Sequence, residues 1–149
     1  GLIVLEQEMR TASHELFVTT DDGSYGRKGF VTDQLRELLT SRKVDTVYAI
    51  GPLPMMKAVS GLTKEFGVKT VVSLNALMVD GTGMCGGCRV TVGGKMKFAC
   101  VDGPEFNAHD VDFDELIIRN RSYSEHERES DRRFEESRAC QARGAEATS

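Results

Sequence analysis

The sequence predicts an α/β protein in which a partial parallel sheet is followed by a small hairpin module and a C-terminal helix. Strand and helix patterns alternate over residues 1–74, as they do in the βαβ units of parallel sheets. Residues 75–112 change to a glycine- and cysteine-rich loop with a hairpin. Residues 113–138 then predict a polar helical segment, and residues 139–149 a disordered tail rich in small residues.

The first part of the chain contains four runs of apolar and β-branched residues that are typical of strands. They are residues 2–5, 15–20, 46–50 and 68–74. Two helices are predicted by apolar residues three or four positions apart. These residues are Val31, Leu35, Leu38 and Leu39 for the first helix, and Met55, Val59, Leu62 and Phe66 for the second. Pro54 suits the first turn of the second helix and Gly67 its C-terminal end.

The hairpin of the second part spans residues 89–98 and turns at Gly93 and Gly94, a two-residue turn signal. Cys88 precedes its first strand, and Cys100 follows its second strand. Because the two ends of a hairpin are adjacent, we expect the three cysteines grouped in this part to converge on one site.

The chain after the hairpin is more polar. Residues 102–106 predict a compact turn, and residues 123–138 predict a solvated helix to which we assign no function. Opposite charges on that helix are spaced for i,i+4 pairs. The pairs are Glu129 with Arg133 and Arg132 with Glu136. Cys140, in the predicted tail, is expected to be a free thiol.

The composition excludes several classes of protein. The net charge is −4 over 149 residues, which argues against a nucleic-acid partner. No apolar run approaches the roughly 20 residues that a membrane span requires, and no signal peptide opens the chain. These observations favour the cytoplasm, or a chain that lacks its leader. Gly1 stands directly before an apolar run, which indicates an N-terminal truncation.

The most specific motif is the spacing of Asp80, Cys85 and Cys88, followed by Cys100. Four residues separate the first two, and two residues separate the cysteine pair. This is the plant-type [2Fe–2S] spacing, with aspartate at the position of the first cysteine. Thiolates suit iron–sulfur clusters, and the glycines of the loop allow a close approach to one. We therefore predict these four residues to be the ligands of a [2Fe–2S] cluster.

Other interpretations of these residues stay open. Three cysteines and a carboxylate could bind Zn²⁺, although structural zinc sites mostly combine Cys and His. The C-x-x-C pair could be a redox dithiol, but that motif favours a helix start and Cys85 lies among glycines. Asp80 could also be an ordinary turn aspartate before Gly81.

Two turns that follow predicted strands are candidates for nucleotide binding. Ligands of open α/β sheets bind beyond the carboxyl ends of the strands. Thr20 and Asp21 stand at the end of one strand, and Gly51 and Pro52 stand just after another. From the spacing alone, ordinary turn chemistry explains these residues equally well.

Four motifs, in order along the chain, resemble one family. They are residues 19–33, 49–59, 78–90 and 98–106. With them the chain resembles the C-terminal half of small, ferredoxin-reductase-like flavoprotein subunits. This family includes the electron-transfer subunit of dihydroorotate dehydrogenase, the sulfide dehydrogenase small subunit and the small subunit of NADH-dependent ferredoxin:NADP oxidoreductase.

The resemblance implies a ferredoxin-reductase-type nucleotide-binding domain over residues 1–74 and a cluster loop on the four residues named above. The implied pyridine-nucleotide pocket lies around Thr20, Asp21, Gly51, Pro52 and Met55. It would bind NAD(H) or NADP(H), with NAD(H) favoured. The resemblance also implies FAD in the intact subunit, but FAD binding is not expected of this chain alone because the family's FAD-binding barrel precedes the nucleotide domain.

The implied function is electron relay between NAD(P)H, FAD and a larger flavin/iron–sulfur subunit. With aspartate at position 80 the chain resembles the ferredoxin:NADP oxidoreductase branch, in which aspartate is the expected ligand. The dihydroorotate-type subunits carry cysteine at this position. The alternatives are an electron-transfer subunit of pyrimidine synthesis, a freestanding [2Fe–2S] carrier and a zinc-stabilised interaction domain.

Overall fold

The computed structural model describes residues 3–122 and 124–146, with side chains described as far as Arg138. The fold is mixed α/β and contains, in these residues, seven short strands and six α-helices. None of the helices in this part of the chain combines the length and the apolar character needed to cross a membrane.

The helices are α1 (Glu6–Ala12), α2 (Val31–Ser41), α3 (Leu53–Glu65), α4 (Ala99–Asp102), α5 (Phe113–Arg121) and α6 (Ser124–Glu146). The strands are β1 (Thr19–Thr20), β2 (Arg27–Lys28), β3 (Thr46–Ile50), β4 (Lys69–Ser73), β5 (Arg89–Val92), β6 (Lys95–Phe98) and β7 (Glu105–Asn107). Strand β1 pairs with β2, β5 pairs with β6, and the central sheet has the order β3-β4-β7.

The central sheet confirms the predicted parallel pair and adds a strand that the sequence did not indicate. Strands β3 and β4 are parallel, and α3 connects them. Strand β7 is antiparallel to β4, with Phe106 opposite Val72. The turn predicted over residues 102–106 is therefore wrong at its C-terminal end. Three residues of β7 are too few to show an alternating pattern, and their pairing depends on a partner more than 30 positions away.

The hairpin prediction is confirmed. Strands β5 and β6 are antiparallel, and Val92 pairs with Lys95 across a two-residue turn. Gly93 and Gly94 have φ angles of 58° and 72°. Two consecutive positive φ angles are what a tight turn of this handedness requires, and glycine adopts them without a steric penalty.

The predicted strand over residues 2–5 is wrong for the residues that the structure describes, since 3–5 lie outside any strand and lead into α1. The residues after Leu5 are strong helix formers, and Arg10 pairs with Glu6 at 2.7 Å in an i,i+4 contact. The strand predicted over residues 15–20 is only the two-residue β1. A short apolar run does not by itself determine a strand, because a strand also needs a neighbour to pair with.

The C-terminal segment contains two helices. The predicted polar helix is α6, and its ion pairs Glu129–Arg133 and Arg132–Glu136 are present at 2.8 Å and 3.6 Å. Helix α6 continues to Glu146, so the predicted end at residue 138 is too early; alanine, glutamine and arginine follow there, and all three favour helices. Tyr123, residues 147–149 and the side chain of Cys140 lie outside the described part, and so does the prediction of a free thiol.

One hydrophobic core extends across the junction of the two predicted parts. Met56 on α3 and Val72 on β4 are fully buried, and Val90 on β5 and Leu116 on α5 are 1% exposed. All four belong to the same cluster of buried side chains. Burial of each contributes roughly 1.5–3 kcal/mol. The hairpin and its loop are therefore fixed to the sheet and to α3 rather than attached by a linker.

Candidate metal centre

The loop that precedes β5 carries three of the four predicted ligands and is shaped by glycine. Gly83 has a φ angle of 80°, and a Cβ atom on it would lie 3.0 Å from Cγ2 of Val101. Gly86 has a φ angle of 69°. Both positions favour glycine because other residues rarely adopt positive φ angles. The loop can therefore bend back towards α4, where Cys100 is located.

Cys88 and Cys100 are brought together by the hairpin. Their Sγ atoms are 3.2 Å apart. Cys88 is 2% exposed and belongs to the core, whereas Cys100 is partly buried. The backbone N–H of Ala99 donates to the carbonyl of Cys88 at 3.1 Å, which holds α4 against the start of β5. The backbone N–H of Cys100 donates to Sγ of Cys88, and the nitrogen and sulfur atoms are 3.5 Å apart.

The surroundings of Cys100 disfavour its charged thiolate in the metal-free protein. The contact with Cys88 raises the pKa of the Cys100 thiol, burial adds to the effect, and the negative charge of Asp80 makes a smaller contribution. A metal ligand must be deprotonated, so metal binding at this pair has to release protons. The raised pKa therefore predicts tighter metal binding at higher pH.

Asp80 and Cys85 are joined through the backbone. One carboxylate oxygen of Asp80 accepts the N–H of Thr82, and the other accepts the N–H of Cys85, both at 2.9 Å. The Thr82 N–H and then the Cys85 N–H hold the pKa of Asp80 below its ordinary value. Cys85 is exposed, and its Sγ accepts the N–H of Gly87 at 3.4 Å. Asp80 thus organises the loop as a turn aspartate does.

The expected convergence of three sulfur atoms is only partly present. Cys88 and Cys100 meet, but Cys85 and Asp80 do not join them. Within residues 3–122 and 124–146, no three side chains of His, Cys, Asp or Glu are close enough together to hold a metal ion. The structure therefore shows half of the predicted ligand set in contact and the other half on the adjoining loop.

The residues nevertheless fit a [2Fe–2S] cluster. Two thiolates that are bound tetrahedrally to one metal, each at about 2.3 Å, lie about 3.8 Å apart. The Sγ atoms of Cys88 and Cys100 would therefore have to separate only slightly to bind one iron. Backbone N–H groups already point at Sγ of Cys88 and of Cys85, as they do in sites that stabilise thiolates. A Cβ atom on Gly87 would lie 3.5 Å from Sγ of Cys85 and fill space beside it.

The predicted nucleotide residues lie at two turns. The hydroxyl of Thr20 donates to the carbonyl of Tyr25 at 2.7 Å, which closes the turn between β1 and β2. Asp21 is exposed in that turn. Pro52 precedes α3, and its carbonyl accepts the N–H of Met56 at 3.1 Å. These contacts are those of ordinary turns and of a helix start.

An open apolar groove of about 300 Å³ lies beside β3 and α2. Of the five predicted nucleotide contacts, Met55 lines this groove, and Thr20, Asp21, Gly51 and Pro52 do not. A Cβ atom on Gly51 would come within 2.5 Å of Cε of Met55, so the absence of a side chain at Gly51 leaves room for Met55.

Comparison with known proteins gives independent information on residues 75–112, which match the iron–sulfur cluster binding domain of dihydroorotate dehydrogenase B. The chain is 53% identical over 132 residues to a homologue of the dihydroorotate dehydrogenase B (NAD(+)) electron transfer subunit from Thermotoga maritima. The alignment covers 89% of this chain and 46% of that protein. An uncharacterized protein in the adh 3′ region of Clostridium beijerinckii is 53% identical over 137 residues, which are 91% of this chain and 46% of that protein.

A solved structure shows the same fold. One of its chains matches with a TM-score of 0.79 and 53% identity, covering 89% of this chain and 48% of that one. It is a structure of NADH-dependent reduced ferredoxin-NADP oxidoreductase, studied for flavin-based electron bifurcation. Over the region that it shares with them, the chain is similar to the electron transfer subunit homologue and to this oxidoreductase chain. It spans about half the length of the curated relatives it matches.

Two arginines contact the loop and were not singled out from the sequence. Nη2 of Arg119, on α5, donates to the carbonyl of Gly86 at 3.5 Å. Nη1 of Arg89 lies 3.7 Å from the position of a Cβ atom on the same glycine. Arg119 is 19 positions beyond Cys100, so no local motif connects it to the loop; only the packing of α5 does.

Proposed function

We propose that this chain relays single electrons through a [2Fe–2S] cluster held by Asp80, Cys85, Cys88 and Cys100. The observation that carries the proposal is the 3.2 Å contact between Sγ of Cys88 and Sγ of Cys100, in the segment that matches an iron–sulfur cluster binding domain. When bound, the cluster would supply one-electron transfer between a flavin and a partner protein. This role makes the chain one part of an NAD(P)H-linked oxidoreductase.

The four ligands divide into two pairs. We assign Cys88 and Cys100 to one iron because their sulfur atoms are already adjacent. We assign Asp80 and Cys85 to the other iron because a hydrogen bond of 2.9 Å joins the carboxylate to the backbone of Cys85. Both carboxylate oxygens of Asp80 already accept backbone N–H groups, and these hydrogen bonds compete with a metal for the carboxylate charge, so we propose Asp80 as the most weakly bound ligand.

The nucleotide that suits this chain is NAD(H). A carboxylate after a strand binds the ribose hydroxyls of NAD, whereas an arginine accommodates the 2′-phosphate of NADP. Asp21 and Asp22 supply carboxylates in the turn after β1. Arg27, the nearest arginine of that turn, is bound to both carboxylate oxygens of Glu37 at 2.5 Å. The guanidinium is therefore already paired with a carboxylate.

The remaining parts of the enzyme are proposed from the relatives. We propose that FAD is bound by the portion of the relatives that this chain does not span, and that the electron acceptor is a larger flavin/iron–sulfur subunit. The oxidoreductase of the solved structure uses NADH, ferredoxin and NADP, and we propose the same class of reaction here. Three free cysteines in the described residues suit a reducing compartment, and we propose the cytoplasm.

A second candidate is the electron-transfer subunit of dihydroorotate dehydrogenase B. The match of residues 75–112 and the name of the Thermotoga maritima relative favour it. Aspartate at position 80 favours the first candidate, because the dihydroorotate-type subunits that this chain resembles carry cysteine at that position. The two candidates use the same four ligands and differ in the partner subunit.

The test is purification of the chain without oxygen, followed by its visible spectrum and by iron, zinc and acid-labile sulfide analysis. We expect a brown protein with two irons and two sulfides per chain, the composition that a [2Fe–2S] cluster requires. A colourless protein with one zinc would contradict the proposal. Coexpression with ferredoxin:NADP oxidoreductase and dihydroorotate dehydrogenase large subunits then separates the two candidates by which subunit copurifies.

A further inference from the structure

Arg119 on α5 has an unexplained environment beside the loop of Cys85 and Cys88. Its Nε atom is buried and has no hydrogen-bond partner in the described structure. None of the ion pairs within the described residues involves Arg119. A buried N–H donor of a charged group without a partner is costly, and such groups in native proteins usually have a ligand or a functional reason.

The fold holds this arginine in a fixed position. Asp112 caps the N-terminus of helix α5, and its side chain accepts the N–H of Glu115 at 3.0 Å. The N–H of Asp112 itself donates to the carbonyl of Thr91 on β5 at 2.9 Å. Leu116, one turn before Arg119, is 1% exposed in the core. The helix is thus tied to the hairpin at its start and packed through its middle.

The guanidinium meets the loop between two of the proposed ligands. The carbonyl of Gly86 accepts Nη2 of Arg119 at 3.5 Å and also the N–H of Arg89 at 3.4 Å. Gly86 lies directly after Cys85 and two positions before Cys88. A contact here limits how far the exposed Cys85 side of the loop can move from the buried Cys88 side.

The charge of Arg119 also suits the proposed occupant. Two ferric irons, two sulfides, three thiolates and one carboxylate give a net charge of about −2, which becomes about −3 on reduction. A nearby cation stabilises the more negative state more strongly, and net charge and hydrogen bonding are what tune cluster potentials. An unpaired guanidinium beside the loop therefore favours the reduced state.

We propose that Arg119 is a positioning residue for the [2Fe–2S] centre. Its guanidinium holds the loop through the carbonyl of Gly86, and its charge raises the reduction potential of the cluster. This inference rests on the proposed function. It assigns Arg119 no contact with substrate and no step in the transfer of electrons.

The experiment compares the full chain with Arg119→Gln, Arg119→Lys and Arg121→Gln. Arg121 is exposed in the last turn of the same helix, so its substitution removes the same charge at a site away from the loop contact. The reduction potential is measured by a dye-mediated redox titration followed by electron paramagnetic resonance. Iron release to a chelator is measured by absorbance, and hydrogen exchange of residues 81–90 is measured by mass spectrometry in the metal-free protein.

We expect Arg119→Gln to have a more negative reduction potential and to release iron several-fold faster than the parent. Hydrogen exchange of residues 81–90 should also be faster in this variant. Arg119→Lys keeps the charge, so its potential should stay nearer to that of the parent while its iron release is still faster. Arg121→Gln should match the parent in all three measurements.

An Arg119→Gln variant with the potential and the release rate of the parent would overturn the inference. Faster release at an unchanged potential would overturn the charge effect and leave Arg119 a purely structural residue. A parent chain that binds no cluster would contradict the proposed function instead, and the hydrogen exchange of the metal-free variants would still test the contact at Gly86.

Discussion

Strand β5 of the cluster module and strand β3 of the predicted nucleotide-binding half differ in how completely they are packed. In the module, Val90 on strand β5 is 1% exposed and belongs to the same buried cluster as Cys88. In the other half, Tyr48 and Ile50 on strand β3 are 67% and 71% exposed. Strand β3 lies at one edge of the central sheet, so these side chains have no neighbouring strand on that side.

This difference shows what each site depends on. In the module, the hairpin with its two-residue turn and the short helix α4 bring Cys88 and Cys100 together. The nucleotide half relies on strand ends that have to be aligned by a wider sheet, and its predicted contacts stay at separate turns. A metal centre can therefore be recognised in this chain more completely than a nucleotide pocket.

The largest expected effect is the loss of the cluster on Cys88→Ser. A hydroxyl is a harder ligand than a thiolate, and Cys88 contacts Cys100 directly. We expect the iron and sulfide content of the purified protein to fall at least about tenfold. Cys140→Ser is the matched control, because Cys140 is not a predicted ligand and should leave the content unchanged. Equal losses in both variants would place the metal elsewhere.

The packing difference is tested by Leu116→Ala and Ile50→Ala. Leu116 is 1% exposed, and its truncation should lower the free energy of unfolding by about 2–5 kcal/mol. Ile50 is 71% exposed on an edge strand, so its truncation should cost less than about 1 kcal/mol. Urea unfolding followed by circular dichroism measures both values. Similar costs would mean that Ile50 is packed as tightly as Leu116.

Asp80 is expected to have a smaller effect than Cys88. Asp80→Ala removes the acceptor for two backbone N–H groups and one proposed ligand, so cluster retention against a chelator should fall about 10–100-fold. Asp80→Cys supplies a softer ligand and should keep the cluster with a changed reduction potential. If both variants retain the cluster and potential of the parent, Asp80 is a turn residue only.

The smallest expected effect is a pH dependence of the metal-free protein. The pKa of Asp80 is lowered from 3.8 in the folded state by the N–H of Thr82 and then that of Cys85. Its contribution to stability is therefore present above the unfolded pKa and is lost as the pH falls through the lower, folded pKa. Between about pH 6 and pH 3, the urea midpoint of Asp80→Asn should fall less than that of the parent.

Asp45→Asn is the control for this measurement. It removes one carboxylate that is 88% exposed, far in sequence from the loop, and its midpoint should follow the parent. A midpoint of Asp80→Asn that follows the parent equally closely would show that the loop hydrogen bonds of Asp80 do not contribute to the acid sensitivity.

Local signals explain which parts of the fold could be predicted. The turn at Gly93 and Gly94 and the helical spacing around Met55 and Val59 depend on neighbours within a few positions, and the structure confirms both. The strand predicted at residues 2–5 is wrong over the described residues 3–5, and the sequence does not indicate β7. Both errors concern strands, whose formation depends on a partner that is distant in sequence.

The sequence by itself determined the ligand types, their spacing and the hairpin that joins Cys88 to Cys100, because these follow from residue identity and short-range turn geometry. Only the tertiary structure decided that Asp80 binds the loop backbone and that Cys85 stays exposed. It alone brought Arg119 from α5 to the carbonyl of Gly86. Such contacts depend on how the core around Leu116 packs, and packing between distant segments leaves no regular pattern along the chain.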